Sequence, residues 1–200
     1  METFIQNLLN HFLKLTHNQR FILGIDGLSR SGKTTFTKTI QLRLEEKRIP
    51  TTIFHIDDFI VDREKRYNTG HDEWTEYYDL QWDVEWLKNH FFIKLKKSHE
   101  LNLPIYDPIT DKQKWKRISL LPTSLIIIEG IFLQRKEWRE SFDYMIYLDS
   151  SRETRFEREN KATQQKINKF KNRYWKAEEY YLKTVNPLAQ ADLVIKNESN

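Results

Sequence analysis

Three of the five glycines in this 200-residue chain fall within nine positions, at Gly24, Gly27 and Gly32. The last two frame the pattern G-x-x-x-x-G-K-[ST], which ends in Lys33 and Thr34. An apolar run precedes the pattern and a helix-compatible stretch follows it, which is the strand–loop–helix setting of a phosphate-binding Walker A loop. Glycine allows the backbone angles and the close approach with which successive N–H groups enclose a phosphate. The pattern therefore predicts a site for nucleotide phosphates.

The residue types of this loop predict a role for each position. The backbone N–H groups are expected to surround the phosphates, aided by the positive end of the dipole of the helix that follows. Lys33 is expected to reach the β- and γ-phosphates, and the Thr34 hydroxyl to bind Mg²⁺. Thr35 is a weaker candidate, as a contact to the α-phosphate. The residues predicted to contact the nucleotide are Gly27, Leu28, Ser29, Arg30, Ser31, Gly32, Lys33, Thr34 and Thr35.

Acidic side chains stand where two apolar, strand-like runs end, at Glu129 and at Asp57-Asp58. Glu129 has the place of a Walker B carboxylate, which holds Mg²⁺ directly or through water; the alternative is a surface side chain that merely ends the strand. Asp57 is the candidate base that accepts the proton of an attacking hydroxyl. Successive strand side chains point to opposite faces, so only one of the two Asp side chains can enter the cleft. The other is expected to cap or turn the chain, and Asp58 is retained as a candidate substrate contact.

A basic segment near the C terminus carries Arg152, Arg155 and Arg158 at intervals of three residues. On a helix these side chains share a broad face that could close over phosphates, and Arg155 and Arg158 join Lys33 and Asp57 as candidate catalytic residues. Residues 152–176 hold nine Lys or Arg side chains against three Glu, although the net charge of the whole chain is only +4. A solvated helical face or a nucleic-acid surface is the alternative, but a nucleotide phosphate explains the local charge more economically.

The spacing of apolar residues indicates the elements that must position these groups. Near-continuous β-branched runs separated by helical stretches indicate a parallel sheet covered on both faces, with ligands at the carboxyl ends of its strands. We predict an α/β fold, a three-layer α/β/α sandwich of the P-loop NTPase type with a mainly parallel five-stranded sheet and a helical lid at 150–176. The predicted strands are residues 20–25, 51–56, 125–128, 144–148 and 193–195.

Length and composition restrict the number of domains, the cellular location and the segments that could bind a partner. Two hundred residues suit a single domain, with an aromatic-rich insert at 60–122 that is partly helical and partly loop or hairpin. The lack of cysteine excludes disulfides and thiolate chemistry and suits a cytoplasmic location. Residues 1–18 form an amphipathic pattern without the continuous apolar core of a signal peptide, and no run is long enough to span a bilayer. That first helix is a candidate surface for a homodimer or another partner.

The order of these motifs resembles the uridine kinase and nicotinamide riboside kinase branch of the P-loop kinases, in the group that includes phosphoribulokinase. Beyond the Walker A loop, the resemblance rests on HIDDF at 55–59, which is similar to the D-x-F motif of that family. It rests also on LQWDV at 80–84, LPIYD at 103–107, the lid string ETRFERE at 153–159 and ADLVI at 191–195. Residues 160–176 and the N-terminal extension depart from the family pattern, and the lid carries fewer arginines.

The resemblance implies a role for each of four residues. Asp57 would be the catalytic base, and Asp83 would hold the ribose hydroxyls of a nucleoside. Trp82 and Tyr106 would be aromatic contacts to the substrate. Asp83 also stands where a helix N-cap is expected, so a purely capping role is the alternative.

Together these features are interpreted as an ATP-dependent, Mg²⁺-dependent phosphotransferase that acts on the 5′-hydroxyl of a ribonucleoside. Two alternatives stay open: a kinase for another small alcohol, such as pantothenate or a sugar acid, and a nucleotide-binding regulatory module without turnover. A switch has no need for a carboxylate base, so Asp57 favours the kinase. Neither a nucleic-acid partner nor a membrane partner is expected.

Overall fold

A five-stranded sheet forms the centre of the molecule in a computed structural model, which describes Gln6, Asn10, Lys14 and residues 19–198. The strands stand in the order β2-β5-β1-β6-β7, and every neighbouring pair is parallel. Their bounds are β1 Arg20–Asp26, β2 Thr51–His55, β5 Ser124–Gly130, β6 Tyr144–Asp149 and β7 Leu193–Lys196. The predicted α/β class and the five parallel strands are therefore confirmed. The amphipathic segment 1–18 lies almost wholly outside the described residues, so its helix and its dimer surface stay predictions.

Helices cover both faces of this sheet. Side chains that alternate along a strand enter two separate cores. In β1, Ile22 packs on one face of the sheet, while Leu23 and Ile25 pack on the other face against the helix Lys33–Glu46. Within the described part of the chain no helix is both long and apolar enough to cross a membrane. The helices are α1 Lys33–Glu46, α2 Glu73–Tyr78, α3 Val84–Leu87, α4 Arg152–Glu157, α5 Lys161–Gln164, α6 Ile167–Lys169, α7 Trp175–Val185 and α8 Pro187–Gln190.

The insert at 60–122 combines α2 and α3 with an antiparallel hairpin of β3 (Glu100–Asp107) and β4 (Lys112–Ser119). The hairpin is one of the two forms that the sequence predicted for this stretch. Phe91 and Phe92, in a π-helical turn that continues α3, are fully buried, and most of the other aromatic side chains of the insert pack in or against the same core. The insert is thus part of the same hydrophobic core as one face of the sheet.

A buried ion pair joins the insert to the lid segment. The Arg173 guanidinium donates to Glu76 Oε2 at 2.9 Å and lies 4.0 Å from the ring centroid of Tyr67. Glu76 also accepts hydrogen bonds from the N–H and the hydroxyl of Thr69. Both charged side chains are at least 95% buried. Arg173 is therefore used inside the fold, unlike a basic side chain on a solvated face.

Breaking this buried pair should cost far more stability than breaking an exposed one. Glu76→Gln leaves the Arg173 charge buried without a counter-charge, so we expect the free energy of unfolding to fall by about 3 kcal/mol or more. Glu179→Gln breaks the exposed pair of Glu179 with Arg152 and is the matched control, with an expected loss below about 1 kcal/mol. Urea unfolding of both variants measures the difference, and equal losses would contradict the structural role of Glu76.

Candidate active site

The candidate site lies at the carboxyl edge of the sheet, where three neighbouring strands end. In register, Glu129 of β5 stands opposite Ile25 of β1 on one side and His55 of β2 on the other. The loop that follows β1 and the turn that follows β2 therefore meet on either side of Glu129. This is the edge at which parallel α/β sheets bind ligands.

The phosphate loop has the backbone that its glycines predicted. Gly27 and Gly32 have φ angles of 155° and 95°, and a Cβ on Gly27 would lie 2.7 Å from the carbonyl oxygen of Leu148. Arg30 adopts a left-handed φ of 62° as well, which is unusual for a residue with a side chain. Helix α1 begins directly after the loop at Lys33, so the N–H groups of its first turn have no acceptor within the helix. They suit an anion placed at the positive end of the helix.

Lys33 and Thr34 both face a cavity of about 620 Å³ that runs along the phosphate loop. The Lys33 ammonium donates to the carbonyl oxygen of Leu28 at 2.9 Å. Burial lowers the pKa of Lys33, although the nearby carboxylates of Glu129, Asp26 and Asp57 act in the opposite direction. A phosphate entering the cavity would supply the negative charge that best offsets this desolvation.

Glu129 is the centre of a short hydrogen-bonded chain. Its Oε1 accepts from the Thr34 hydroxyl at 3.0 Å and lies 2.6 Å from His55 Nδ1. Burial alone would raise the pKa of Glu129, but the contacts with His55 and Lys33 outweigh it and hold that pKa below its usual value. The same hydrogen bond raises the pKa of His55. Sequence reasoning missed His55 as the partner of Glu129, although its place at the end of β2 was a usable signal.

These oxygens suit Mg²⁺ in chemical type and number. The described residues contain no group of three or more His, Asp or Glu side chains that could enclose a metal. Mg²⁺ in nucleotide sites, however, takes one or two protein oxygens and completes its shell with phosphate oxygens and water. Thr34 and Glu129, with oxygens 3.0 Å apart, match that requirement, so they are the residues that would hold the ion.

The two neighbouring Asp side chains differ in position. Both belong to a 3₁₀ turn, Ile56–Phe59, since β2 ends one residue earlier than predicted and strand alternation does not apply to them. Asp57 lines the cavity of the phosphate loop, and Asp58 does not. The Asp57 carboxylate is open to the cavity but surrounded by protein, and this burial raises its pKa despite the opposing charge of Lys33. Asp57 is therefore the member of the pair that shares the cavity with Lys33 and the phosphate loop.

The structure corrects the role predicted for Arg155. Its guanidinium is buried and bonds through both terminal nitrogens to the carboxylate of Glu178, at 2.8 and 3.0 Å. It also donates to the carbonyl oxygen of Ser29 in the phosphate loop at 3.0 Å, while Glu178 accepts the Ser29 N–H at 3.1 Å. With its donors used in this way, Arg155 holds the loop from behind and does not point at the phosphates.

Arg158, by contrast, does line the cavity. It donates to the carbonyl oxygens of Arg30 and Asn197, at 3.0 and 2.9 Å. Its neighbour Glu159 forms an ion pair with the Arg30 side chain at 2.8 Å. The outer part of the lid therefore contacts the phosphate loop next to the cavity, and Arg158 stays a candidate for a phosphate contact.

A second buried network that sequence reasoning missed supports the start of the loop. Asp26, the last residue of β1, is fully buried and accepts hydrogen bonds from the Tyr181 hydroxyl at 2.5 Å and from Gln134 Nε2 at 3.0 Å. Burial raises the pKa of Asp26, against the effect of these donors. The Asp26 position is a strand end like that of Glu129, but nothing local indicates its partners, which are more than 100 residues away in sequence.

Asp58 and the three other residues predicted to bind the substrate lie outside the lining of this cavity. Trp82 is 2% exposed and its indole N–H donates to the carbonyl oxygen of Ile56, so most of the ring packs in the core, and the residue borders the same neighbouring cavity as Asp83. Asp83 accepts the Trp86 N–H at 3.0 Å, as a helix cap, and lines a neighbouring cavity of about 530 Å³. The Tyr106 hydroxyl is bonded to Asp111 and Arg66.

Other residues form the end of the main cavity beyond Asp57. They were not predicted as site residues and come from the insert, the strand end and the lid: Ile60, Tyr77, Gln81, Ile131 and Tyr174. Tyr77 and Tyr174 meet edge to face with ring centroids 4.9 Å apart, which closes the insert against the lid. None of these five lining residues carries a charge, and two of them are aromatic.

The two lid arginines should give different phenotypes. Arg155→Met leaves Glu178 buried without its partner, so we expect the free energy of unfolding to fall by about 3 kcal/mol or more. Arg158→Met should cost about 1 kcal/mol or less, because that side chain is only half-buried and its acceptors are carbonyl oxygens. Urea unfolding measures both. An Arg155→Met variant that loses affinity for ATP but keeps wild-type stability would restore Arg155 as a phosphate contact.

Comparison with known proteins agrees with this architecture. Residues 22–199 match the model of the phosphoribulokinase / uridine kinase family. The chain is 31% identical over 141 residues to a uridine kinase of Borrelia duttonii and 31% identical over 143 residues to one of Proteus mirabilis. Each match covers 68% of this chain, and 63% and 64% of the respective relatives, so less than two thirds of their length is spanned.

Solved structures extend the comparison to almost the whole chain. A Bacillus stearothermophilus protein described as a possible uridine kinase is 48% identical, with a TM-score of 0.82 over 98% of this chain and 100% of that one. Phosphoribulokinase from Rhodobacter spheroides, at 13% identity and a TM-score of 0.60 over 90% of this chain and 70% of that one, shares the fold. On these grounds the chain belongs to the phosphoribulokinase / uridine kinase family.

Proposed function

We propose that this protein is an ATP-dependent kinase that transfers the γ-phosphate of Mg-ATP to the 5′-hydroxyl of a ribonucleoside. The observation that carries the proposal is a single cavity lined by the phosphate-loop residues Lys33 and Thr34, the metal candidate Glu129 and the carboxylate of Asp57. Family membership supports it, since relatives in that family are uridine kinases. A cytoplasmic location belongs to the same proposal and rests on the cysteine-free composition.

In this mechanism each residue acts on a defined atom. The N–H groups at the start of α1 and the Lys33 ammonium hold the β- and γ-phosphates and neutralise their charge. Asp57 accepts the proton of the acceptor hydroxyl as its oxygen attacks the γ-phosphorus, and ADP leaves with the electron pair of the broken P–O bond. Thr34 and Glu129 would hold Mg²⁺, which supplies further charge neutralisation when bound.

The charge distribution favours a neutral acceptor over a sugar acid or pantothenate. The cationic side chains that line the cavity are Arg30, Lys33 and Arg158, and all three lie beside the phosphate loop or within it. The opposite end offers aromatic rings and the negative charge of Asp57. A carboxylate-bearing acceptor would meet that charge, and the cations nearest the aromatic rings, Lys169 and Arg173, do not line the cavity. A flat nucleoside, in contrast, fits aromatic walls.

The cavity also weighs against a regulatory module without turnover. Such a module needs the phosphate cradle formed by Lys33 and its neighbours, but it has no use for a carboxylate that faces the γ-phosphate position. Asp57 lines the same cavity as Lys33 and Thr34, where a kinase would need a base. A kinase that transfers phosphate to an acceptor needs both the phosphate cradle and the Asp57 carboxylate.

Replacing the proposed base should remove turnover and spare nucleotide binding. Asp57→Asn keeps the shape of the side chain but cannot accept the proton, so we expect kcat to fall by about 10²–10⁴-fold with the Kd for Mg-ATP near that of the wild type. Asp58→Asn is the matched control and should lose much less activity. Steady-state kinetics with calorimetric ATP titration provide both values. If Asp58→Asn carried the larger loss, the two side chains would have been assigned the wrong way round.

A substrate panel tests the proposed reaction directly. ADP release should be observed with uridine or cytidine and be much slower with pantothenate or glycerate, because the cations that line the cavity stand at the phosphate loop and would be occupied by ATP. Nicotinamide riboside is the third nucleoside of the panel and carries a positive charge. Turnover of an acid in preference to every nucleoside would reject the nucleoside assignment, and no turnover with any acceptor would favour the regulatory module.

A further inference from the structure

Side chains from outside the phosphate loop hold three successive carbonyl oxygens of its backbone, those of residues 29–31. The donors are Arg155 to Ser29, Arg158 to Arg30 and Asn197 to Ser31, at 3.0, 3.0 and 2.7 Å. The C=O and the N–H of a trans peptide point in opposite directions. A carbonyl oxygen that is held on one side of the loop therefore turns the N–H of the next residue to the other side, where successive N–H groups can receive an anion.

Asn197 is anchored to the fold through its backbone, which leaves its carboxamide for the loop. The residue directly follows β7, its N–H donates to the carbonyl oxygen of Asp149 at 2.7 Å, and its own carbonyl oxygen accepts from Arg158 at 2.9 Å. The carboxamide packs against Gly32, where an added Cβ would collide with Asn197 Nδ2. Gly32 lines the main cavity and Asn197 does not, so the carboxamide reaches the loop from behind.

The peptide between Ser31 and Gly32 differs from the peptide before it in the use of its N–H. The N–H of Ser31 is used within the loop, as a donor to the carbonyl oxygen of Leu28 at 3.1 Å. Gly32 is the N-cap residue of helix α1, so its N–H extends the row of N–H groups that the first turn of the helix leaves without an intrahelical acceptor. Fixing the Ser31 carbonyl oxygen therefore sets the direction of an N–H that suits a phosphate.

We propose that Asn197 is a positioning residue for nucleotide binding, whose carboxamide fixes the Ser31–Gly32 peptide so that the Gly32 N–H donates to a phosphate oxygen. This inference rests on the binding of nucleotide phosphates in the function proposed above. Arg155 and Arg158 also bond the loop, but the first neutralises the buried Glu178 and the second lines the cavity itself. Asn197 is uncharged and stands outside the cavity lining, so replacing it removes a hydrogen bond to the loop and leaves the charges of the site in place.

The test compares Asn197→Leu with Gln113→Met by calorimetric titration of Mg-ATP and of Mg-tripolyphosphate, without an acceptor. Leucine keeps the branched shape of asparagine but cannot donate a hydrogen bond. We expect the Kd of both ligands to rise by the same factor, about three- to tenfold, because the lost contact orients an N–H toward phosphate. Gln113 is the matched control, since its Nε2 also donates to backbone carbonyl oxygens, those of Phe59 and Ile60, but outside the phosphate loop.

Both variants should lower the Tm by about 2–4 °C, and Gln113→Met should keep both Kd values near those of the wild type. Unchanged Kd values of Asn197→Leu would make Asn197 purely structural, and an equal loss of affinity in Gln113→Met would trace the effect to a looser fold. A loss for Mg-ATP but not for Mg-tripolyphosphate would move the contact to the nucleoside part of ATP. Each of these results overturns the inference and leaves the proposed function intact. A wild type that binds Mg-ATP but phosphorylates no nucleoside overturns the proposed reaction alone, and one that binds neither ligand overturns both.

Discussion

The phosphate loop between β1 and α1 has to keep an unusual backbone while it leaves N–H groups open to the cavity. It makes few hydrogen bonds of its own, so its shape must be supported from behind. The buried ion pair of Arg155 with Glu178 provides that support by bonding both the N–H and the carbonyl oxygen of Ser29. Two buried charges are costly to desolvate, but here each is paired and each also bonds the backbone. The pair therefore ties the loop to two helices at once.

Helix α7 is the scaffold on which this support is built. Glu178 and Tyr181 are three residues apart and so lie on one face of the helix. The first bonds Ser29 within the loop, and the second bonds Asp26 at the end of β1, directly before the loop. Just upstream of α7, Arg173 connects the same segment to Glu76 of the insert. The phosphate end and the acceptor end of the cavity are thus fixed relative to each other through one segment of chain.

Local pattern was enough to predict the strands, the phosphate loop and the strand-end carboxylates, because parallel strands bring their carboxyl ends to one edge. It was not enough for the charged residues of the lid. Spacing of three places Arg152, Arg155 and Arg158 on one helical face but does not say what covers that face, and Glu178 lies 23 residues beyond Arg155. Asp83 shows the opposite case. Its role as a helix cap was predicted from a local pattern and is observed. Its contact with a ribose was implied by the resemblance alone, and Asp83 does not line this cavity. Gln81 lies within the LQWDV string at 80–84, but its uncharged side chain gave no separate indication that it lines the cavity.

Glu129 and Asp57 are both carboxylates of the cavity, but their surroundings shift their pKa values in opposite directions. Glu129 receives the Thr34 hydroxyl and the His55 ring nitrogen, and these contacts together with Lys33 hold its pKa below the usual value. At Asp57, burial disfavours the charged form and raises the pKa, and the opposing effect of the Lys33 charge is smaller. A carboxylate that stays ionised is suited to hold a cation, and one with a raised pKa is the better proton acceptor. These opposite shifts support the proposed metal role of Glu129 and the proposed base role of Asp57.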